Sequence, residues 1–282
     1  MAKISDSEHC QDIVRRLDHG AYLIALFSPR ETRDAVFAVA AFSIEIAAIR
    51  DQVSNPAIAK IKLFWWKEQI EAVFAGNPPN HPICLQLAKT IHTVPLAKVW
   101  LTRLINTQIS GLSVTQFSTT EEMEEYAENA FSTQVYLHLQ ILGVSDTRAD
   151  HAASHLGKTM GIVHFLRNLP LHASKRMFYM PAELMAKHSI SNEDVFRGRN
   201  RDKLGNVVYE IATRANDQAI TSRTFKKEIG APAIPALLAL LPSEQYLKIL
   251  QKQRFDVFAP ALVKRSISLP ITLWMHAARR IF

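Results

Sequence analysis

Apolar residues recur along this chain at intervals of three and four positions, the spacing of one face of an α-helix. Between residues 12 and 27, one such stripe consists of Ile13, Leu17, Ala21, Ile24 and Phe27. Alternation of apolar and polar residues, which indicates a half-buried strand, never persists beyond four or five residues. The sequence therefore predicts an all-α fold.

Clusters of proline, glycine and asparagine divide this pattern into separate helices. Ser28-Pro29 ends the first helix, and the GNPPN sequence at 76–80 is a predicted loop. The predicted helices span 12–27, 30–51, 57–75, 82–92, 95–110, 119–143, 146–168, 181–188, 191–199, 201–229 and 232–241, with a final pair from about 243 and 267. No linker, repeat or lasting heptad interrupts the series, so we expect residues 1–282 to form a single helical bundle domain.

The composition narrows the class of protein. Apolar residues make up 48% of the chain and charged residues 21%, as in ordinary globular proteins. The run closest to a membrane span, 229–242, falls short of the roughly 18–20 apolar residues required and contains two prolines. The chain has two cysteines, Cys10 and Cys84, which form no CxxC motif, and so small a number excludes a disulfide scaffold. The N-terminal residues lack both a secretory signal and an Arg-rich transit pattern, so we expect a protein that stays where it is made or a trimmed form.

Basic residues outnumber acidic ones by 33 to 26, which gives a net charge of +7. Such an excess favours anionic partners in general. The basic residues are scattered, however, and no zinc-finger, RNP or helix-turn-helix pattern accompanies them. We therefore expect no binding of nucleic acid.

Two apolar segments are candidate contact surfaces. Trp65 and Trp66 occupy adjacent faces of one predicted helix, so we expect one in the core and name Trp66 as a candidate membrane or partner contact. The segment 266–282 contains Trp274 and the pair Arg279 and Arg280. It is either a last bundle helix or a helix that lies on an anionic bilayer, with its arginines toward the phosphates.

Motifs for metals and nucleotides are missing from the sequence. His151 and His155 share a helix face, as zinc ligands do, but no glutamate or third ligand accompanies them. The patterns G-x-S-x-G, G-x-G-x-x-G and Walker A do not occur. We therefore predict no metal and no cofactor.

Two segments resemble the squalene/phytoene synthase family. Residues 157–181 (GKTMGIVHFLRNLPLHASKRMFYMP) keep the Leu-Arg pair that ends at Arg167, the basic turn and the Tyr-Met-Pro exit of the family's second aspartate-rich helix. Residues 33–51 keep Arg33 and Asp51 of the first such helix. The resemblance implies a helical bundle of the isoprenoid synthase type, in which two pairs of aspartates hold Mg²⁺ and a prenyl diphosphate.

Most carboxylates of those pairs are replaced in this chain. The outer positions correspond to Ala47, Asn168 and His172, and Asp51 is the one that remains acidic. Mg²⁺ requires several oxygen ligands to offset the loss of its water shell, and one carboxylate does not supply them. The resemblance therefore implies a degenerate site that does not couple prenyl chains.

Segments from residue 10 to near the end, among them ADHAASHLGKTMGIV at 149–163, resemble a branch of this family that assists assembly of mitochondrial respiratory complex I. That resemblance implies a non-enzymatic protein of the mitochondrial matrix, peripheral to the inner membrane, that acts early and supports biogenesis of the ND1 subunit. The implied partners are complex I subunits or other assembly factors.

Two other functions stay open from the residues alone. A prenyl transferase with an altered metal site would rely on Asp51, His172 and Arg33 or Arg167 for the diphosphate. A peripheral membrane-binding module would rely on the basic and apolar C-terminal segment. A retained cavity would hold a lipid or quinone tail, or a hydrophobic segment of a client subunit.

Overall fold

The computed structural model describes residues 4–53, 55–264 and 266–282. These residues form helices and contain no strand, so the all-α prediction is confirmed. The α-helices in chain order are α1 (Asp6–Leu17), α2 (His19–Ala25), α3 (Arg33–Gln52), α4 (Pro56–Phe74), α5 (Pro82–Thr93), α6 (Lys98–Gly111), α7 (Thr120–Ala127), α8 (Thr133–Ile141), α9 (Thr147–Ser174), α10 (Ala182–Lys187), α11 (Asn192–Phe196), α12 (Arg201–Thr224), α13 (Ile234–Leu237), α14 (Leu240–Lys252) and α15 (Leu269–Ala278). A π-helical turn, Glu128–Ser132, joins α7 to α8.

The predicted helix 12–27 is in fact two helices, α1 and α2, with a break at Asp18. The backbone of Asp18 leaves the helical region at φ −138° and ψ 83°. Its carboxylate accepts the backbone N–H of Ala21 at 2.9 Å and so starts α2. A short acidic side chain competes in this way with the backbone bonds of a continuing helix. Both pieces bury apolar residues, so periodicity alone did not show the break.

Helix α9 is longer than the predicted 146–168 and continues to Ser174 with Pro170 inside it. Proline lacks the N–H that would reach back four residues, so one backbone bond of the helix is missing there. The helix is nevertheless 28 residues long, which corresponds to roughly 42 Å at 1.5 Å per residue. It contacts α7, α8, α12 and α14, and therefore forms the central element of the fold.

Two glycines let α9 approach its neighbours closely. A Cβ atom added at Gly157 would collide with the backbone and side chain of Ser132, and one added at Gly161 would collide with Ala127. The Ser132 hydroxyl donates to the Ser154 carbonyl at 2.9 Å across the same contact. The π-helical turn and α9 therefore touch backbone to backbone, which a larger residue at either glycine would prevent.

Buried apolar side chains form three adjoining groups. The first lies among α1, α3, α4, α5 and α6. The second lies among α7, the C-terminal half of α9, α12 and α14. The third joins α2 and α8 to the N-terminal half of α9, α13 and α15. Because α9 contributes to two of the three groups, side chains from both ends of the chain pack around it.

Candidate functional site

The predicted site positions lie on α3 and α9, helices that are otherwise largely buried. On α9 the exposed side chains include His164, Arg167 and Leu171, which follow one another at intervals of three and four. On α3, Ala47 and Asp51 are exposed and lie four residues apart. Residues at these intervals share one face of a helix. Each helix therefore has one open stripe, and the predicted positions lie on it or beside it.

The C-terminal ends of α3 and α9 lie side by side. Asp51 Oδ1 is 3.7 Å from Nζ of Lys175, the residue that follows α9. The Arg50 guanidinium lies 4.8 Å from the centre of the Tyr179 ring. That ring meets the His172 imidazole edge to face, with 4.8 Å between the two centres. The structure thus brings Asp51 and His172 to one end of the helix pair.

His164 on α9 and Asp18 at the start of α2 are both influenced by the charge of Arg167. Both side chains retain exposed surface. Burial is nevertheless the main cause that lowers the pKa of His164 to about 4, and burial also raises the pKa of the Asp18 carboxyl. The Phe131 ring lies 5.2 Å from that of His164.

The polar groups of α9 in this region are directed to one another and to the backbone. Asn168 Nδ2 donates to the carbonyl oxygen of His164 at 3.0 Å and lies 3.2 Å from the ring nitrogen Nε2 of the same residue. Nδ1 of His172 is buried and has no hydrogen-bond partner among the described residues. Burial lowers the pKa of His172, the Asp51 charge opposes this effect, and Arg50 and Lys175 add to it. The imidazole is therefore neutral at pH 7.

These donors do not fit the Mg²⁺ ions on which the synthase chemistry depends. Asp51 is the carboxylate of the group, and Lys175 already stands 3.7 Å from it. The other two positions hold the amide of Asn168 and the neutral imidazole of His172. Mg²⁺ prefers several hard oxygen ligands in octahedral geometry. Across the described ranges, no three His, Cys, Asp or Glu side chains are grouped so that they could hold a metal ion.

Arg50 is a structural residue of this region that sequence reasoning did not single out. Its guanidinium donates to the carbonyl oxygens of Gly111 and Val114, both at 2.8 Å, and covers the Tyr179 ring. It thereby ties α3 to the end of α6 and to the chain after α9. No sequence pattern indicates these bonds, because their partners are backbone carbonyls more than sixty residues away.

The two predicted arginines lie on different helices, and Arg33 is far from Asp51 along α3. Arg33 begins α3, where Nε donates to the Ser28 carbonyl at 2.9 Å. It is eighteen residues from Asp51, which is roughly 27 Å along the helix. Arg167 is exposed on the open stripe of α9, where its charge acts on Asp18, His164 and the Tyr246 hydroxyl. The structure therefore does not bring Arg33 to the end of the helix pair.

The tryptophan predicted as a surface contact is the wrong one of its pair. Trp66 is only 4% exposed, because its ring packs against Phe42 at 5.4 Å and His81 at 5.1 Å. Trp65 is the exposed member, at 40%. Trp274 is 64% exposed on α15, and Arg279 and Arg280 are also exposed. A contact role for these three residues stays a prediction.

Within the described ranges, none of the helices combines the length and the apolar character that crossing a membrane requires.

Comparison with known proteins relates the whole chain to one family. The sequence profile of the squalene/phytoene synthase family matches residues 14–273. A human protein named NADH dehydrogenase (ubiquinone) complex I, assembly factor 6 is 37% identical over 275 residues, 97% of this chain and 82% of that protein. A 15-cis-phytoene synthase from Synechococcus elongatus is 22% identical over 97% of this chain and 94% of its own length.

A solved structure shows the same fold. The crystal structure of a dehydrosqualene synthase in complex with a ligand matches with a TM-score of 0.85 and 20% identity, over 97% of this chain and 95% of that one. The prediction of a bundle of the squalene/phytoene synthase type is therefore confirmed.

Proposed function

The chain belongs to the squalene/phytoene synthase family, and from this premise we propose that it is a non-catalytic member that assists assembly of mitochondrial respiratory complex I. One observation carries the proposal: 97% of the chain aligns at 37% identity with the human protein named as assembly factor 6 of that complex. The phytoene synthase aligns over the same share of the chain at only 22% identity. The assembly-factor relatives are therefore the better guide to function.

The side chains between α3 and α9 support the absence of catalysis. A synthase must stabilise the negative charge of a departing diphosphate, and Mg²⁺ held by carboxylates supplies that stabilisation in this family. Here the corresponding positions hold Ala47, Asn168, His172 and an Asp51 that faces Lys175. We propose that this loss of acidic ligands makes the chain a pseudoenzyme that retains the scaffold.

The finer parts of the proposal rest on resemblance to the assembly-factor branch. They place the protein in the mitochondrial matrix, peripheral to the inner membrane, with complex I subunits or other assembly factors as partners. In the same proposal the protein acts early in complex I assembly and supports biogenesis of the ND1 subunit. The same proposal treats residues 1–282 as a single domain, because side chains from α2, α8, α12 and α15 pack in one group around α9.

Removal of the protein from its source cells tests the assembly role. We expect the amount of assembled complex I, measured on native gels, to fall while the other respiratory complexes remain. Pulse labelling tests the claim of early action on ND1. If newly made ND1 is lost before the peripheral subunits of complex I, early action is supported. Unchanged complex I in cells without the protein would refute the proposal.

A prenyl transferase with an altered metal site is the second candidate, favoured by the retained Asp51 and by the exposed Arg167 on α9. Purified protein incubated with farnesyl or geranylgeranyl diphosphate and Mg²⁺ or Mn²⁺ separates the two functions. We expect no release of diphosphate above the rate without protein. Metal-dependent turnover that Asp51→Asn abolishes would establish the transferase instead.

A further inference from the structure

The C-terminal helix α15 has an apolar face that no described part of the chain covers. Ile271 is 60% exposed, Trp274 64% and Met275 37%. Ile267, just before the helix, is 91% exposed. These four side chains, called here the α15 face, lie within nine residues, and such a concentration of large exposed apolar groups marks an interaction surface.

The opposite side of α15 is fixed to the bundle, so the α15 face has a defined orientation. Leu273 is fully buried among side chains of α8, α9 and α13. Just before the helix, the Ser268 hydroxyl accepts a hydrogen bond from the Gln245 side chain at 2.8 Å. After the helix, Phe282 is fully buried, and the Arg223 guanidinium lies 5.9 Å from its ring centre. The exposed residues therefore point outward because the packed side leaves them no other direction.

Positive charge surrounds this face without acidic partners. Lys264 precedes it, and Arg279 and Arg280 follow it, all three exposed. No acidic residue occurs between 257 and 282. In the part of the chain that the structure describes, none of these three cations lies within 4.0 Å of a carboxylate. Some exposed arginines elsewhere do have a carboxylate partner, as Arg148 has Glu228 at 3.1 Å.

We propose that the α15 face docks the protein on an anionic phospholipid bilayer. The helix has ten residues, which is roughly 15 Å and half of the hydrocarbon thickness, so it lies along the surface. Isoleucine, tryptophan and methionine then enter the boundary between headgroups and acyl chains, and the cations meet lipid phosphates. A second copy of this chain on the same face would bring like charges together, which disfavours a dimer.

This inference rests on the proposed peripheral position at the inner membrane and names its contact surface, and it fails separately from the assembly role because its test uses only purified protein and lipid. The full chain is floated with vesicles of phosphatidylcholine alone and of phosphatidylcholine mixed with cardiolipin. We expect binding only to the mixed vesicles, and weaker binding at high salt because salt screens exposed charges. Absence of binding to the mixed vesicles would overturn the proposal.

Matched variants locate the contact. Arg279→Gln with Arg280→Gln is expected to weaken binding roughly 30-fold, about fivefold for each arginine near an anionic surface. Lys60→Gln with Lys62→Gln removes two exposed charges from α4 instead and should leave binding unchanged. If the α4 variant alone lost binding, the docking surface would lie there and the proposal would be wrong.

Tryptophan fluorescence reports insertion directly. Phospholipids with brominated acyl chains should quench the emission of the wild type and of Trp65→Phe, but quenching should disappear in Trp274→Phe. Both tryptophans are exposed, at 40% and 64%, and phenylalanine keeps an aromatic ring at each position. Quenching that persists in Trp274→Phe contradicts insertion of α15. If vesicles fail to bind and α15 variants instead lose complex I components, the face contacts a protein and the lipid proposal is wrong.

Discussion

The carboxylate of Asp51 on α3 lies 3.7 Å from the ammonium group of Lys175 at the end of α9. Both side chains are about half exposed, at 54% and 44%. Lys175 therefore forms an exposed ion pair with Asp51 across the ends of the two helices. A metal ion there would have to displace the lysine and find further oxygen ligands.

Asp51→Asn should therefore change stability little. Exposed ion pairs contribute about 0.2–1 kcal/mol, so we expect a loss of at most about 1 kcal/mol in the free energy of unfolding, measured by urea denaturation. The neighbouring Arg50→Ala is the contrast, because it removes the donors to two carbonyl oxygens. That change should cost about 2–3 kcal/mol. Equal losses in the two variants would contradict the geometry.

Gly157→Ala should destabilise the protein, although alanine ordinarily favours a helix. Its Cβ would collide with the backbone of Ser132, and overpacking of this kind costs about 1–3 kcal/mol or more. Gly205→Ala on α12 is the matched control, since the nearest atom to its new Cβ is 3.8 Å away. That variant should gain up to about 1 kcal/mol. A stabilised Gly157→Ala would show that α9 and the π-helical turn do not touch.

The pH dependence of stability should contain a contribution from His138. Burial lowers the pKa of its imidazole to about 4, below the usual 6.5, and the ring is hydrogen bonded to the Ser28 hydroxyl at 2.8 Å. Because the folded pKa is the lower one, the unfolded chain binds more protons between these values. The stabilisation is complete above pH 6.5 and is lost as pH falls toward 4, by about 2 kcal/mol between pH 7 and 5.

Urea denaturation at pH 7 and pH 5, for the wild type and for His138→Gln, isolates this contribution. The glutamine does not titrate, so the variant should lose about 2 kcal/mol less than the wild type over this range. Identical pH dependence in the two proteins would mean that His138 is not desolvated in the fold.

Trp66→Ala and Trp65→Ala should differ strongly despite their adjacent positions. Trp66 is 4% exposed and packed against Phe42, so its truncation should cost about 3–5 kcal/mol. Trp65 is 40% exposed, and its loss should cost about 1 kcal/mol or less. Thermal or urea denaturation of the two variants measures the difference, and the reverse order would contradict the buried position of Trp66.

Much of the fold could be predicted from sequence because wide apolar stripes at helical spacing determine where helices form and which sides they bury. The break at Asp18 escaped prediction, since one capping side chain interrupts a stripe that continues on both sides of it. The extension of α9 past Pro170 was not predicted either, because a proline usually marks the end of a helix. Here α9 packs against α12 and α14 and continues through the proline.

The site was predicted in part for a similar reason. The resemblance of α3 and α9 to the synthase motifs identified Asp51 and His172, but the contacts of Arg50 and Lys175 depend on how separate helices meet. The exposure of a side chain also depends on how helices pack. The sequence therefore predicted that one of Trp65 and Trp66 is buried, but Trp66 was predicted as the contact and is the buried one.

The most direct test of the non-catalytic role is a rescue experiment. Asp51→Asn is expressed in cells that lack this protein, and the amount of assembled complex I is measured. Asparagine cannot supply the carboxylate on which any retained diphosphate chemistry would depend. The account predicts that this variant restores assembled complex I to the level reached with the wild-type chain. Failure of the folded, normally expressed variant to restore the complex would contradict a non-catalytic role.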